Sequence, residues 1–392
     1  MLANSERTFE VMSDHGIDTL IATAPENVAY FTGFWSVSHW LERTQVYAIV
    51  SIDRHMKPIL VAPMTDIDLV TDLEVLSEDV EPYGKYCFSF ADHLSAKDRK
   101  LKELAEKESK KTPLDALVKA LKKRGMDTGT IGLDSGNITP GLLNLIPKKL
   151  PGANFIEAAG TFQEIRISKS KKEVDRIRSS VEITERAMVT ALNSIKESVT
   201  EKEVAVEFEK AVVESGATPL FSSIGFGVGG AYPNAQPSAR KLKRGDVIRF
   251  DIGVRKELYC SDIARTFFFG SPSEKQKRFY NAILEGETEA LGKVKEGTKV
   301  SEIFNKVIST VRKAGIPHYS RHHCGHGIGI GPFESPIVAP ENETSLQEGM
   351  VLCIETPYVE VGFGGFQLED VVLVNKDGCE LLSTANKALS SI

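Results

Sequence analysis

Five side chains able to hold metal ions punctuate apolar stretches in the second half of the chain: Asp251, Asp262, His326, Glu355 and Glu369. The two aspartates lie in Val247–Phe269, where two arms rich in β-branched and aromatic residues flank a short polar break, the pattern of a β-hairpin. A turn centred on Lys256-Glu257 sets Asp251 directly opposite Asp262, with side-chain bases about 5 Å apart. Asp is depleted in strands. Two carboxylates that close, beside Phe250, Ile252 and Ile263, repel unless a cation lies between them. On the hairpin alone, a solvated surface pair is an equal alternative. Three later segments favour the cation. Cys324 to Gly329 presents His326 in a glycine-dense turn, Leu352 to Pro357 ends an apolar strand on Glu355, and Phe366 to Val374 carries Glu369 inside a strand. Four carboxylates and one imidazole suit two divalent cations with shared carboxylates. They do not suit a single zinc, which prefers four ligands rich in nitrogen and sulfur.

Residues 1 to about 160 alternate strand-like and helix-like patterns. Asp18 to Thr23, Val46 to Ser51, Pro58 to Pro63 and Thr130 to Asp134 read as strands, and Leu114 to Lys123 as a helix stopped by Gly125. This is a small α/β domain with no catalytic constellation of its own. Glu164 to Glu173 forms a joint into a long helix with Val174, Ile177, Val181, Met188, Leu192 and Ile195 on one stripe. Thr200 and Glu203 form a capping box, Ser273 and Gln276 open a third helix, and a fourth runs from about Ser301 to Ala314. Strands separate the helix pairs, so the part from 161 to 392 reads as α+β. Gly225 to Gly230 satisfies G-x-G-x-x-G, but the following Ala231-Tyr232-Pro233 opens no helix, which excludes a dinucleotide fingerprint.

A length of 392 residues allows two domains, and 41% hydrophobic with 26% charged residues is the balance of an ordinary globular chain. A net charge of −6 argues against a nucleic-acid partner. No apolar run approaches the roughly 20 residues of a membrane span. Met1 to Arg7 lacks a signal-peptide core, and five cysteines in no paired spacing read as reduced thiols, so a cytoplasmic location is expected.

The order Asp251-Ile252-Gly253, Ser261 to Thr266 around Asp262, Gly325 to Gly329 around His326, Ile354-Glu355-Thr356-Pro357 and Leu368-Glu369-Asp370 resembles the pita-bread metallopeptidases. These include prolidase (Xaa-Pro dipeptidase), aminopeptidase P, methionine aminopeptidase and the metal-free creatinase. The resemblance extends to the first domain through Asn27 to Phe34. It implies a creatinase/prolidase-like α/β domain over 1–160 and a catalytic domain over 161–392, the latter a curved antiparallel sheet backed by helices. It implies a homodimer and two divalent ions (Mn, Co, Fe or Zn). Asp251 would chelate one metal, Asp262 and Glu369 would bridge both, and His326 and Glu355 would complete the other. Glu355 would take the proton of an activated water and pass it to the leaving amine. The substrate class is a small peptide with proline after the scissile bond.

Three positions depart from that pattern. Asn234 stands where prolidases carry a histidine, Phe333 replaces the histidine that follows the Gly-His-Gly turn, and Gln367 replaces an arginine. The two histidines normally bind the substrate amide and the developing oxyanion. Asn234 retains one donor and Phe333 none, and losing such a donor commonly costs about 3 kcal/mol. His322 matches a family histidine and His323 stands at an arginine position; both are open to a substitute role or to packing. Gly33 to Arg43, with His39, is open to two readings: a lid over the partner's site or an apolar domain contact. The departures favour an alternative substrate, another small amide or a related carboxylate compound. A non-catalytic binding module is the third possibility.

Overall fold

The computed structural model describes residues 3–74 and 77–392 and divides into two compact units, Met1–Arg166 and Ile167–Ile392. The first is built on a six-stranded mixed sheet. Its strands are β1 (Thr19–Ala22), β2 (Tyr47–Ser51), β3 (Ile59–Pro63), β4 (Val80–Tyr83), β5 (Gly129–Leu133) and β6 (Ala153–Glu157), in the order β4-β3-β2-β1-β5-β6. β1, β2 and β3 form an antiparallel run, while β4, β5 and β6 join in parallel. Parallel neighbours need crossovers, and the helices Pro113–Lys123 and Pro140–Lys149 precede β5 and β6. β1 to β3 are buried at every position, so they read as unbroken apolar runs rather than alternating ones. Helix Pro113–Lys123 starts with Pro at its first turn under a Thr112 cap and buries Leu114, Leu117, Ala120 and Leu121. A second helix, Pro25–Thr32, begins where the strand reading stops.

The second unit holds the site. Its strands are β7 (Thr218–Phe226), β8 (Val247–Lys256), β9 (Tyr259–Cys260), β10 (Ile263–Phe268), β11 (Gly325–Gly327), β12 (Glu334–Ile337), β13 (Val351–Glu355), β14 (Tyr358–Glu360), β15 (Gly364–Phe366), β16 (Glu369–Val374) and β17 (Cys379–Leu381). Nine of them form one antiparallel sheet. Its main path runs β12-β11-β13-β16-β10-β8-β7, with β9 on β8 and β17 on β16, and β14 and β15 pair separately. Helices Lys171–Asn193 and Glu201–Glu214 pack with β7 and β8 around Phe208, Phe226, Phe250 and Ile252. Helices Glu274–Leu291 and Val300–Ala314 pack with β13 and β16 around Phe279, Ile283, Val307, Leu352 and Ile354. Each such side chain contributes about 1.5–3 kcal/mol when fully buried. Both clusters therefore press the sheet from the helix side and leave its other face to polar residues. The capping boxes at Ser170, Thr200 and Ser273 are formed, each closed by the residue three positions on.

Two expectations are corrected here. The β8–β10 hairpin turns at Glu257-Leu258, both with positive φ (47° and 75°), a two-residue turn that matches the sheet twist. Neither residue is Gly or Asn, the usual markers of such a turn, so its position was not readable. The register moves by two: Asp251 faces Ala264, and Ile252 faces Ile263. An even shift keeps both aspartates on one face, now as diagonal neighbours. His326 lies in a three-residue strand between β12 and β13 rather than in a turn. The flanking glycines permit it. A Cβ on Gly325 would collide with the Cys353 carbonyl and one on Gly327 with the Ser335 carbonyl.

Candidate metal centre

Strand alternation sorts the site from the core. Along β8, Ile248, Phe250, Ile252 and Val254 enter the core cluster, which turns Arg249 and Asp251 to the opposite face. Along β13, Leu352 and Ile354 are core while Cys353 and Glu355 face the site. Glu355 pairs directly with Glu369 across β13 and β16. Asp262 follows the short β9. There Ser261 donates its N–H to the Val254 carbonyl (2.9 Å), and its Oγ accepts from the Val254 N–H (3.2 Å), fixing the bend that presents the carboxylate.

The five predicted ligands converge. Asp251, Asp262 and Glu369 each offer a carboxylate oxygen within 4.8 Å of the others. His326 Nδ1 lies 2.9 Å from the Gly327 carbonyl, so this nitrogen carries the proton and Nε2 the lone pair. That lone pair lies 3.7 Å from Asp262 Oδ2 and 3.7 Å from Glu369 Oε1. Asp262 Oδ1 and Glu369 Oε1 are buried without a hydrogen-bond partner. Acceptors converging on acceptors, with no donor between them, leave a large desolvation cost that a divalent cation would remove. The residues present therefore fit a metal.

Proton affinities carry the same strain. Burial, then the neighbouring carboxylates, pushes Asp262 and Glu369 well above the ordinary carboxylate range. Burial also raises Asp251 to about 6, against the pull of Arg249. Glu355 differs. Burial raises it too, but His323 Nδ1, 2.9 Å from its Oε1, and the charge of Arg321 outweigh that and hold it low. Burial lowers His326 despite its bond to the Gly327 carbonyl, which keeps the imidazole neutral and able to ligate.

The other named residues scatter. Phe333 is 55% exposed, and its ring sits 4.2 Å from His326 and 5.7 Å from His323, centre to centre. Gln367 Nε2 reaches Glu355 Oε2 (3.4 Å) and Glu369 Oε2 (3.3 Å). Asn234 is exposed on a loop after the 3-10 turn Gly227–Ala231. No α-helix follows that glycine run. Arg249, 1% exposed, holds the loop by donating to the Tyr232 and Pro233 carbonyls. His322 is exposed with its ring edge-on to His323. His39 is buried in the first unit with Nε2 at 2.8 Å from the Thr23 carbonyl. Its helix Val37–Glu42 exposes Val37, Trp40 and Leu41. Arg249, Arg321 and Cys353 were not anticipated. Arg249 and Cys353 each stand two positions before a predicted ligand, and strand alternation alone could have flagged them.

Residues 175–376 match the metallopeptidase family M24, and residues 5–168 match the creatinase/prolidase N-terminal domain. The chain belongs to metallopeptidase family M24. It is 32% identical over 294 residues to an Xaa-Pro dipeptidase of Pyrococcus horikoshii, covering 73% of this chain and 82% of that one. Among solved structures, the prolidase from Pyrococcus horikoshii superimposes with a TM-score of 0.79 at 27% identity, covering 98% and 99% of the two chains. An X-Pro aminopeptidase from Thermotoga maritima gives 0.78 at 25% identity, covering 99% of each. The M24 chain is thus a peptidase-type hydrolase of pita-bread fold that uses divalent metal ions. Among its described residues no helix is long and apolar enough to cross a membrane.

Proposed function

We propose that this M24 enzyme is a two-metal hydrolase of small peptides, acting as an Xaa-Pro dipeptidase. The observation that carries the reading is the convergence of Asp251, Asp262, His326 and Glu369, with two buried carboxylate oxygens, Asp262 Oδ1 and Glu369 Oε1, left without a donor. With Glu355 these residues would hold two divalent ions, Asp262 and Glu369 shared between them. The oxygen-rich set leaves Mn, Co, Fe and Zn open. Bound divalent ions supply water activation and polarisation of the scissile carbonyl. The chain's own groups do the rest. Glu355, held ionised beside His323, is placed to accept a proton and release it to the leaving amine. Gln367 fixes the carboxylates of Glu355 and Glu369 with one amide. A homodimer in the cytoplasm, with the stretch Gly33 to Arg43 as lid or contact, belongs to the same proposal.

One observation favours a second reading. Phe333 lies against His326 with more than half its surface open, an apolar wall where a peptide oxyanion would want a donor. That wall suits another small amide or a related carboxylate compound. Metal-loaded protein assayed against dipeptides ending in proline, beside other small amides, separates the two. Turnover confined to the proline dipeptides supports the first reading, and turnover confined to other amides overturns it.

A further inference from the structure

Cys353 lies two residues before Glu355 on the site face of β13 and directly opposite His326 of β11. Its Sγ, a His326 ring nitrogen and a Glu369 oxygen all lie within 4.8 Å of one another. The thiol is fully buried, and its hydrogen bond to the Asp262 carbonyl is long, 3.9 Å. One of the three members carries a separate sign of a missing ion. Glu369 is 2% exposed, its Oε1 has no hydrogen-bond partner, and that oxygen sits 3.7 Å from His326 Nε2. With bonds of about 2.0–2.3 Å, the ligand atoms of a tetrahedral zinc site lie roughly 3.3–3.8 Å apart. The His326–Glu369 edge already has that length. The edges to sulfur are within 4.8 Å and shorten if the thiol side chain turns towards the pair.

We propose that His326, Cys353 and Glu369 form a second, sulfur-containing binding mode that captures thiophilic divalent ions such as Zn2+ and Cd2+. This rests on reading the same basin as a metal centre. Hard ions such as Mn2+ take oxygen and leave a thiol aside, whereas Zn2+ and Cd2+ favour thiolate. On capture the S–H bond breaks, the sulfur–metal bond forms, and the proton leaves to solvent. No redox change occurs. Because His326 and Glu369 serve both modes, an ion held by the triad removes two ligands from the carboxylate arrangement. Excess soft metal therefore competes with the hard-metal form at one place. Among the described residues this is the one candidate ion-holding group that contains sulfur.

The test uses the full chain stripped of metal by chelation, with the exposed Cys87 changed to Ser in all samples. Cd2+ is titrated while the thiolate-to-cadmium ultraviolet band is followed, and Mn2+ binding is measured in parallel by calorimetry. The band is expected to saturate near one Cd2+ per chain. Cys353→Ser should abolish it and weaken Cd2+ binding by on the order of tenfold or more, while Mn2+ affinity changes much less. Cys353→Ala, with circular dichroism matching the parent, gives the same answer should the buried hydroxyl disturb β13. A band that survives in either variant, or an unchanged Cd2+ affinity, overturns the triad even when Mn2+ binds normally. Failure of the parent to bind Mn2+ would count against the proposed function instead. A Cd2+ band lost with Cys353 would still uphold the triad.

Discussion

Changing Asp251 to asparagine should move stability in opposite directions with and without metal. Burial, assisted by Glu355, raises the Asp251 carboxyl from 3.8 to about 6 although Arg249 opposes it. A carboxyl whose folded pKa exceeds its unfolded value carries no penalty below the unfolded value. The penalty grows as pH rises between the two and is complete above the folded value. Each pKa unit corresponds to about 1.36 kcal/mol, so a rise from 3.8 to about 6 amounts to about 3 kcal/mol near neutral pH. Asp251→Asn removes that cost. The metal-free variant should be more stable than the parent by up to about 3 kcal/mol, or roughly 6–12 °C in the midpoint of a unit this size. Its advantage should shrink as pH falls through about 6 towards 4. With saturating Mn2+ the parent gains binding free energy that the variant lacks a ligand to match, and the order should reverse. Thermal and urea unfolding of chelated and metal-loaded samples at two pH values read both effects. A metal-free Asp251→Asn protein no more stable than the parent at neutral pH would refute the reasoning.

Three other outcomes are expected. Asp262→Ala and Glu369→Ala should each remove both metal ions, since both residues are proposed to bridge; elemental analysis finding near-full occupancy in either would count against bridging. Lys387→Met should destabilise the chain by about 3–5 kcal/mol in urea unfolding, because Lys387 pairs with Asp370 and, at 3.1 Å, with Glu287, and both carboxylates are buried. A change under 1 kcal/mol, roughly, would show that Arg265 alone balances Asp370 and that Glu287 is held neutral by its burial. Phe333→His combined with Asn234→His should raise kcat/KM on Xaa-Pro dipeptides tenfold or more, about 1.4 kcal/mol of transition-state stabilisation. No gain would mark Phe333 as a recognition surface for a different substrate.

What the sequence could disclose was decided by the range of the forces involved. Core strands such as Ile59–Pro63 and capped helices such as Glu201–Glu214 announce themselves because burial and capping act within a few residues. The five proposed ligands stand out in the sequence for a related reason. A charged or imidazole side chain beside an apolar strand is costly, so it stands out locally. The hairpin register was not legible, because Glu257 and Leu258 accept positive φ without a glycine to mark it. The two aspartates share a face, though no longer opposite each other, only because a shift of two preserves it. His323 and Arg321 were weighed poorly or not at all, since their effect on Glu355 depends on β11 and β13 lying side by side, which no local pattern specifies. Asp370 makes the same point from the other side. It follows Glu369 directly, yet alternation turns it to the helix-backed face, where Arg265 Nη2 meets it at 2.5 Å. Arg265 Nη1 also donates to the Glu369 carbonyl at 2.7 Å. One guanidinium thus ties the backbone of a proposed ligand to a buried ion network on the far side of the sheet. The proposed ligand set is written in residue types, but its rigidity is written in pairings between strands remote in sequence.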